Sequence, residues 1–488
     1  DGAVTPPAAA PTDAEASRFL AQASMGASRA QIARVRELGF AGWLDEQFAL
    51  PPSPSRWDWL IAAGYGDIGY RNSEAGFDAA AWAKLLGAPD TLRQRITLAL
   101  SEIFVTAVDG LVGGGWRAFS AAAYLDMLEA NAFGNHRELL QQISRSPAMG
   151  MYLTFRGSAK ENPATGALPD ENYARELLQL FTIGLVPLGA DGTPGEGSTY
   201  GQADISGLSR VFTGWDFDLA GQNLAAARQS PELVRRPLAQ VAARYESGAK
   251  NFLGTTLPAG LDATSCLTQA LDAIWAHANV APFFARQLIQ RLVTSNPRPA
   301  YVARVAAAFN DNGHGVRGDL RAVIKAVLLD DEARSAAAAA APGFGKLREP
   351  MLRLCAWARA CGVGSPGNRW PIGDTSIPAT RLAQSPLRSP SVFNFFRPGY
   401  APPNTGFNTA GLVAPEFQIT NESSVIGYLN FMQRLIASAG SGAVDLSVGY
   451  GALLSLAGDA AALLAEIELL LAAGRLGNLQ RLAPLASA

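Results

Sequence analysis

The sequence predicts a mainly α protein: a large multi-helical domain with long irregular loops and at most a small β element. Three observations carry this. Apolar residues recur at helical spacing through most of the 488 residues, helix start and stop signals bracket those runs, and the polar mixture suited to short strands is confined to about 217–250. Residues 1–13 read as an extended linker, 14–475 as a single helical domain with a sub-boundary near 217–260, and 476–488 as a C-terminal tail.

The helices follow in order. Thr12-x-x-Glu15 and Ser28-x-x-Gln31 read as capping boxes, with Gly26 and Gly39 as breaks, and a short helix carrying Trp43, Leu44 and Phe48 stops at Pro51. Residues 51–90 read as loop-rich, with Trp57, Trp59 and Trp82 as core anchors. From Thr91, the residues Leu92, Ile96, Ala99, Leu100, Ile103 and Phe104 form a buried stripe, with Arg93 and Arg95 on other faces. Three glycines, Gly113 to Gly115, precede a helix from Trp116 to Ala130, and Phe133 to Arg137 turns into the next one. Further helices are expected at 265–278, 282–293, 300–310, 319–333 and after Pro350. Residues 362–424 lack periodicity and read as a long packed loop. The apolar run 451–474 contains Asp459, Glu466 and Glu468, which argues for a packed helix and against a membrane span.

The most informative stretch is 170–184. Asp170 follows Pro169 and can accept from the first turn, and Gly184 with Pro187 ends the helix. At 3.6 residues per turn Asn172, Arg175, Glu176 and Gln179 form one polar stripe, flanked by Tyr173, Leu177, Leu180 and Phe181. Glu171 can pair with Arg175 at i, i+4. Two readings stand: a structural polar seam in which Arg175 holds Glu171 or Glu176, or a cleft in which a carboxylate of perturbed pKa acts as acid or base.

Composition excludes several functions. Charged residues make up 17% and the net charge is −2, with no basic run to track phosphates, so nucleic-acid binding is set aside. Three cysteines (Cys266, Cys355, Cys361) and three histidines (His136, His277, His314) are too few and too scattered for a disulfide framework or a predicted metal site, so no metal and no cofactor is expected. There is no Gly-x-Ser-x-Gly elbow and no His-Glu-x-x-His run. The Pro/Ala-rich start, Asp1 to Pro11, reads as the mature end left after removal of an export signal, or as an arbitrary cut; with the low charge it suggests a secreted or periplasmic bacterial protein.

The run Glu171 to Gly184 resembles the signature of the bacterial family known as domain of unknown function 1800. Supporting stretches are Arg18 to Ala23, Gly134 to Leu140, Pro147 to Met149, Phe212 to Trp215, Gly315 to Leu320, Lys346 to Pro350 and Ser391 to Phe396. The resemblance spans about 14–475. It implies an exported bacterial protein, often accompanied by a second exported protein of sulfatase-like type, and no particular activity. Many members have Trp-His-x-His-Phe where this chain has Leu100-Ser101-Glu102-Ile103-Phe104, and His-Asp where it has Tyr245-Glu246. If those histidines bind a metal elsewhere, this chain has lost the ligands, and two departures together suggest one site.

Two functions are expected from these readings. The first is a non-catalytic binding or envelope-assembly protein, with a structural polar network around Arg175 and Glu176 and an exported protein or a polysaccharide as partner. The second is an extracellular hydrolase or lyase acting on a polysaccharide through two carboxylates, from Glu171, Glu176 and Asp204. Asn172, Arg175, Arg137, Arg210, Trp215 and Lys346 are the candidate binding residues. A solvent-connected cleft walled by Trp215 would favour the enzyme.

Overall fold

The helix expected from Thr91 is the centre of the molecule. In a computed structural model that describes residues 10–475, it runs Thr91–Ile103 and all thirteen of its residues are buried, including Arg93, Gln94, Arg95 and Glu102. The faces that carry Arg93 and Arg95 are therefore covered as well, by the neighbouring helices. The linker residues 1–9 and the tail 476–488 lie outside the described residues.

Among the described residues 53% are helical and 4% are in strands, the mainly α class expected. In chain order the first helices are α1 Asp13–Ala23, α2 Arg29–Ala49, α3 Arg56–Ala62, α4 Phe77–Trp82 and the central α5. Next come α6 Arg117–Ala130, α7 His136–Ile143, α8 Pro147–Tyr152, α9 Asn172–Glu176, α10 Gln202–Ser209 and α11 Leu224–Ala227. The second half holds α12 Ala263–Trp275, α13 Val280–Leu292, α14 Pro299–Asn310, α15 Leu320–Leu329, α16 Asp331–Arg334 and α17 Ala336–Ala340. The last are α18 Pro350–Ala360, α19 Gly406–Thr409, α20 Glu422–Ser441, α21 Gly451–Leu454 and α22 Ala460–Ala472. Helices α1, α2, α6 and α13 pack directly on α5, while α13, α14 and α15 pack on one another.

Local chemistry accounts for most boundaries. Thr12 and Glu15 make the reciprocal capping box that was expected, whereas Ser28 accepts from the Gln31 backbone and the Gln31 side chain goes instead to the Trp43 indole. Gly39, at φ 70° and ψ 171°, breaks the helical geometry within Arg29–Ala49, so that the span is two helical segments meeting at a kink, as the sequence predicts. Residues 51–90 are less loop-rich than expected: Ser55 caps α3 through the Asp58 amide, and α4 runs on into a π-helical turn at Ala83–Gly87. The helix expected over 319–333 divides at Asp330, which caps α16, and the apolar run after 451 divides into α21 and α22. Among the described residues no helix is long and apolar enough to cross a membrane.

Two antiparallel pairs supply the β structure: β1 Trp215–Asp216 with β2 Ala239–Gln240, and β3 Lys250–Phe252 with β4 Thr255–Leu257. Of these, β2 lies inside the predicted 217–250 region, β3 starts at its end, and β1 and β4 lie just outside it. Helix α10 approaches β3 so closely that a methyl group at Gly207 would run into the Asn251 carbonyl, so the crossing demands glycine. A main core surrounds α5, and a second cluster gathers Met25, Trp82, Met351, Trp357, Leu382 and Phe431 beneath the irregular 362–424 segment. All three cysteines are buried free thiols, in the core role expected of them.

Candidate functional site

The stripe singled out in the sequence sits where α9 meets α10, and its carboxylates differ sharply in engagement. Asp170 accepts from the Asn172 amide at 2.9 Å and from the Thr154 hydroxyl at 2.8 Å. Asn172 in turn reaches Thr154 at 3.3 Å. Glu171 accepts from Ser206 (2.6 Å) and Gln202 (2.8 Å) and pairs with Arg175 at 3.3 Å. The Ser206 hydroxyl is the main reason its carboxyl is held below the usual range. Asp204 caps its own helix at Gly201 (2.8 Å) and accepts from the Leu253 amide (2.7 Å), joining α10 to the β3–β4 turn. Only Glu176 is incompletely used: it is buried, its Oε2 has no partner, and burial raises its pKa against the opposing pull of Arg175.

The other predicted binding residues are dispersed. Arg137 pairs with Asp272 at 2.7 Å and donates to the Thr268 carbonyl; Arg210 sits between Glu161 and Glu246. Trp215 is buried, with its indole N–H on the Val211 carbonyl, and so walls no cleft. The Tyr245-Glu246 segment and the Ser101–Phe104 segment have separate hydrogen-bond and ion-pair partners: Leu261 and Arg210 for the first, Tyr124 and Arg291 for the second. His136 is enclosed by Phe104, Phe284 and Phe309, and burial drives its pKa down to about 3. Among the described residues no group of three or more His, Cys, Asp or Glu could hold a metal ion.

A different site emerges at the far end of the same signature helix. After Glu176 the backbone widens into a π-helix over Leu177–Thr182, where Thr182 donates to the Leu177 carbonyl at 2.5 Å. Such widened turns cost hydrogen-bond quality and concentrate at functional sites. Gly184, at φ 71°, closes the helix where a methyl group would lie 2.8 Å from the Phe283 ring. The widened turn presents Gln179, Leu180 and Ile183 to a cavity of about 380 Å³, with Ile103, Leu185, Val186, Leu188, Phe283, Val392 and Phe393 as further apolar walls. Polar groups enter it at few points: Glu102, Arg286, Gln287, Gln290, Arg291 and Arg397.

Glu102 is the cavity's contact with a buried ionic network. Arg291 approaches its carboxylate at 3.6 Å and donates to its carbonyl at 3.3 Å. On the inner side Glu102 shares a hydrogen bond with Glu349, whose other oxygen accepts from Gln384 at 2.5 Å. Burial first, and the Glu349 charge second, raise the Glu102 pKa well above the usual carboxylate range. Burial also acts to raise Glu349, but Lys346, the bond from Glu102 and Arg95 outweigh it and hold Glu349 ionised. Both Glu102 oxygens and Glu349 Oε1 accept no other hydrogen bond among the described residues, as expected of two neighbouring carboxyl groups that share one proton. Lys346, predicted as a binding residue, braces this network by donating to the Arg291 carbonyl and pairing with Glu416, each at 2.9 Å.

The sequence reading named Lys346 but missed Glu102, Glu349, Arg286 and Arg291. A signal existed for Glu102, a lone acid inside the apolar run Leu98-Ala99-Leu100-Ser101-Glu102-Ile103-Phe104; for Arg286 none did.

The family model described as Protein of unknown function (DUF1800) matches residues 18–487, nearly the whole chain, and the chain belongs to that family. No curated protein and no solved structure matched it.

Proposed function

We propose that this protein binds a small amphipathic anion in the cavity at the end of the signature helix, as a binding protein acting outside the cytoplasm. The observation that carries the reading is Arg286. Its half-buried guanidinium lines the cavity beside the apolar wall of Leu180, Ile183 and Phe283, and among the described residues it has no carboxylate partner, only the Gly192 carbonyl at 3.5 Å. Burial lowers its pKa with nothing opposing, as expected of a cation waiting for a counter-charge. An apolar body would lie on Leu180, Ile183, Phe283 and Phe393, and an acidic head would reach Arg286, while Gln287 offers an orienting hydrogen bond.

The test is titration with 1-anilinonaphthalene-8-sulfonate and its displacement by medium-chain carboxylates. Arg286→Gln should weaken both by at least about tenfold, the scale of one charge-assisted bond at roughly 1.5–3 kcal/mol, with no loss of thermal stability. Unchanged displacement in that variant would reject the reading.

The alternative, a polysaccharide hydrolase or lyase, draws support from one observation: the free Oε2 of Glu176 beside Tyr200, whose pKa the Glu176 charge helps to raise. Glu171 and Asp204 are engaged elsewhere, and Glu102 and Glu349 touch each other, whereas glycoside cleavage needs carboxyls roughly 5–10 Å apart. Turnover of an exopolysaccharide that Glu176→Gln abolishes would move the assignment to this reading.

A further inference from the structure

A second cavity, of about 250 Å³, lies on the opposite side of the ionic network, between α1, the Phe344–Arg348 segment and the end of α22. Five cations line it, Arg18, Arg95, Lys346, Arg348 and Arg475, and none of its lining residues is acidic. Among the described residues, Lys346 is the one of the five in an ion pair, with Glu416. Arg475 donates to the Ala339 carbonyl at 2.8 Å, and Arg18 and Arg95 each donate one bond to a backbone carbonyl, of Arg334 and Arg291. Among the described residues their remaining donors have no hydrogen-bond partner.

The unused donors are unusual because they are buried. Arg95 is 1% exposed, yet its Nε and Nη1 have no partner. Arg348 makes no hydrogen bond among the described residues, and its Nε and Nη2 are also shut away from solvent. Behind Arg18, Arg334 leaves all three guanidinium nitrogens unbonded against the rings of Phe19 and Phe40. Native proteins leave few buried polar atoms unpaired, and a cluster of orphaned donors of one sign marks the place of an absent acceptor. The acids on the elements around this cluster include Glu349 at the start of α18, Glu102 on α5, Glu416 beside Lys346, Glu468 on α22, which packs against α1 and α18, and Glu15 on α1, whose carboxylate is already bonded to Thr12. The segment that follows Arg475 supplies no acid, since 476–488 contain one Arg and no Asp or Glu.

We infer that this cavity is an oxyanion site, built to take a phosphate- or sulfate-type group between Arg18, Arg95 and Arg348. Guanidinium forks match the paired oxygens of such groups, which a single carboxylate would match less completely. The room, about eight waters at ~30 Å³ each, exceeds what a bare oxyanion needs. Leu292, Val293, Phe344 and Leu352 line the remainder, so an ester with an apolar substituent fits the shape better than the free ion. The site is independent of the amphipath cavity: Arg286 takes no part in it, and neither reading requires the other. The mutual repulsion of Arg18, Arg334, Arg95 and Arg348 is consistent with the placement, since burial and these neighbours lower the pKa of Arg348 to about 10 and of Arg334 to about 9.

The experiment is a thermal-shift and calorimetric titration of the full chain with inorganic phosphate and with phenyl phosphate, at constant ionic strength held with sodium chloride. Wild type should show a saturable rise in Tm and 1:1 binding. Arg348→Met should weaken binding at least tenfold while melting higher than wild type without anion, because a repelling cation is gone. Arg18→Gln, on a partly exposed side chain, provides a second variant should Arg348→Met fail to fold, with the same loss of binding expected. Tighter binding of phenyl phosphate would identify an organic ester as occupant, and equal binding the free ion. No saturable response in wild type, a response reproduced by sodium chloride alone, or undiminished binding in both variants would overturn the site.

Discussion

Two polar regions meet along the signature helix and its surroundings, and they are built on opposite terms. At the α9–α10 junction Glu171, Arg175, Gln202 and Ser206 lie near the surface with each charge answered locally. Within the core, Arg95, Glu102, Arg291 and Glu349 are buried and Lys346 and Arg348 are partly exposed, and several of their atoms have no partner among the described residues. A satisfied surface cluster holds elements in register and loses little when altered. A buried cluster left partly unsatisfied is kept at a cost in stability, and such places are where ligands and protons go. Charge density in the sequence pointed at the first region; burial and unmet hydrogen bonding point at the second.

The contrast is sharpest in stability. Glu349→Ala should cost about 3–5 kcal/mol, the penalty for leaving buried cations uncompensated, read as a lower urea midpoint; a loss under about 1 kcal/mol would place the network in water. The next effect is in pH dependence. Because the folded pKa of Glu102 is raised, the folded state holds its proton after the unfolded chain has released it. Stability should therefore fall as pH rises above the unfolded value near 4.5, by at most about 1.4 kcal/mol per pH unit for one proton. Glu102→Gln should remove that slope and leave the acid-side loss due to Glu349, whose lowered pKa contributes stability that disappears as pH drops below 4.5. Identical pH profiles for the two proteins would mean the shared proton is absent.

Smaller effects belong to the surface region. Asp204→Ala removes the α10 cap and the tie to Leu253 and should cost about 1–2 kcal/mol by denaturant unfolding. Arg175→Ala should cost no more than about 0.5 kcal/mol, because its pair with Glu171 is well exposed and screened. If Arg175→Ala proved as costly as Glu349→Ala, the division between the regions would collapse.

Helix positions were largely readable because caps and apolar spacing are local properties: Thr12 with Glu15, Asn135 before α7 and Asp262 before α12 all act within four residues. The widened turn at Leu177–Thr182 was not readable, since its side-chain pattern fits an ordinary helix and the extra residue is accommodated by packing on Phe104 and Tyr173. The proton-sharing pair was hidden for another reason. Glu102 and Glu349 come from distant parts of the chain, and only the fold shows that the second acid of Lys346-Leu347-Arg348-Glu349-Pro350 faces the first. Asp204 illustrates the converse error: an acid beside aromatic residues resembles chemistry until its two oxygens are found on backbone amides.

Helix α5 carries one more consequence. Its residues are sealed on every side, and Arg95 and Glu102, two turns apart, reach the two cavities from one rigid rod. No local fraying can expose it, so its amide protons should exchange with deuterium only when the domain opens as a whole. The slowest-exchanging amides of the protein would then serve as a clock for global opening, and an occupant in either cavity should slow that clock in proportion to how tightly it is held.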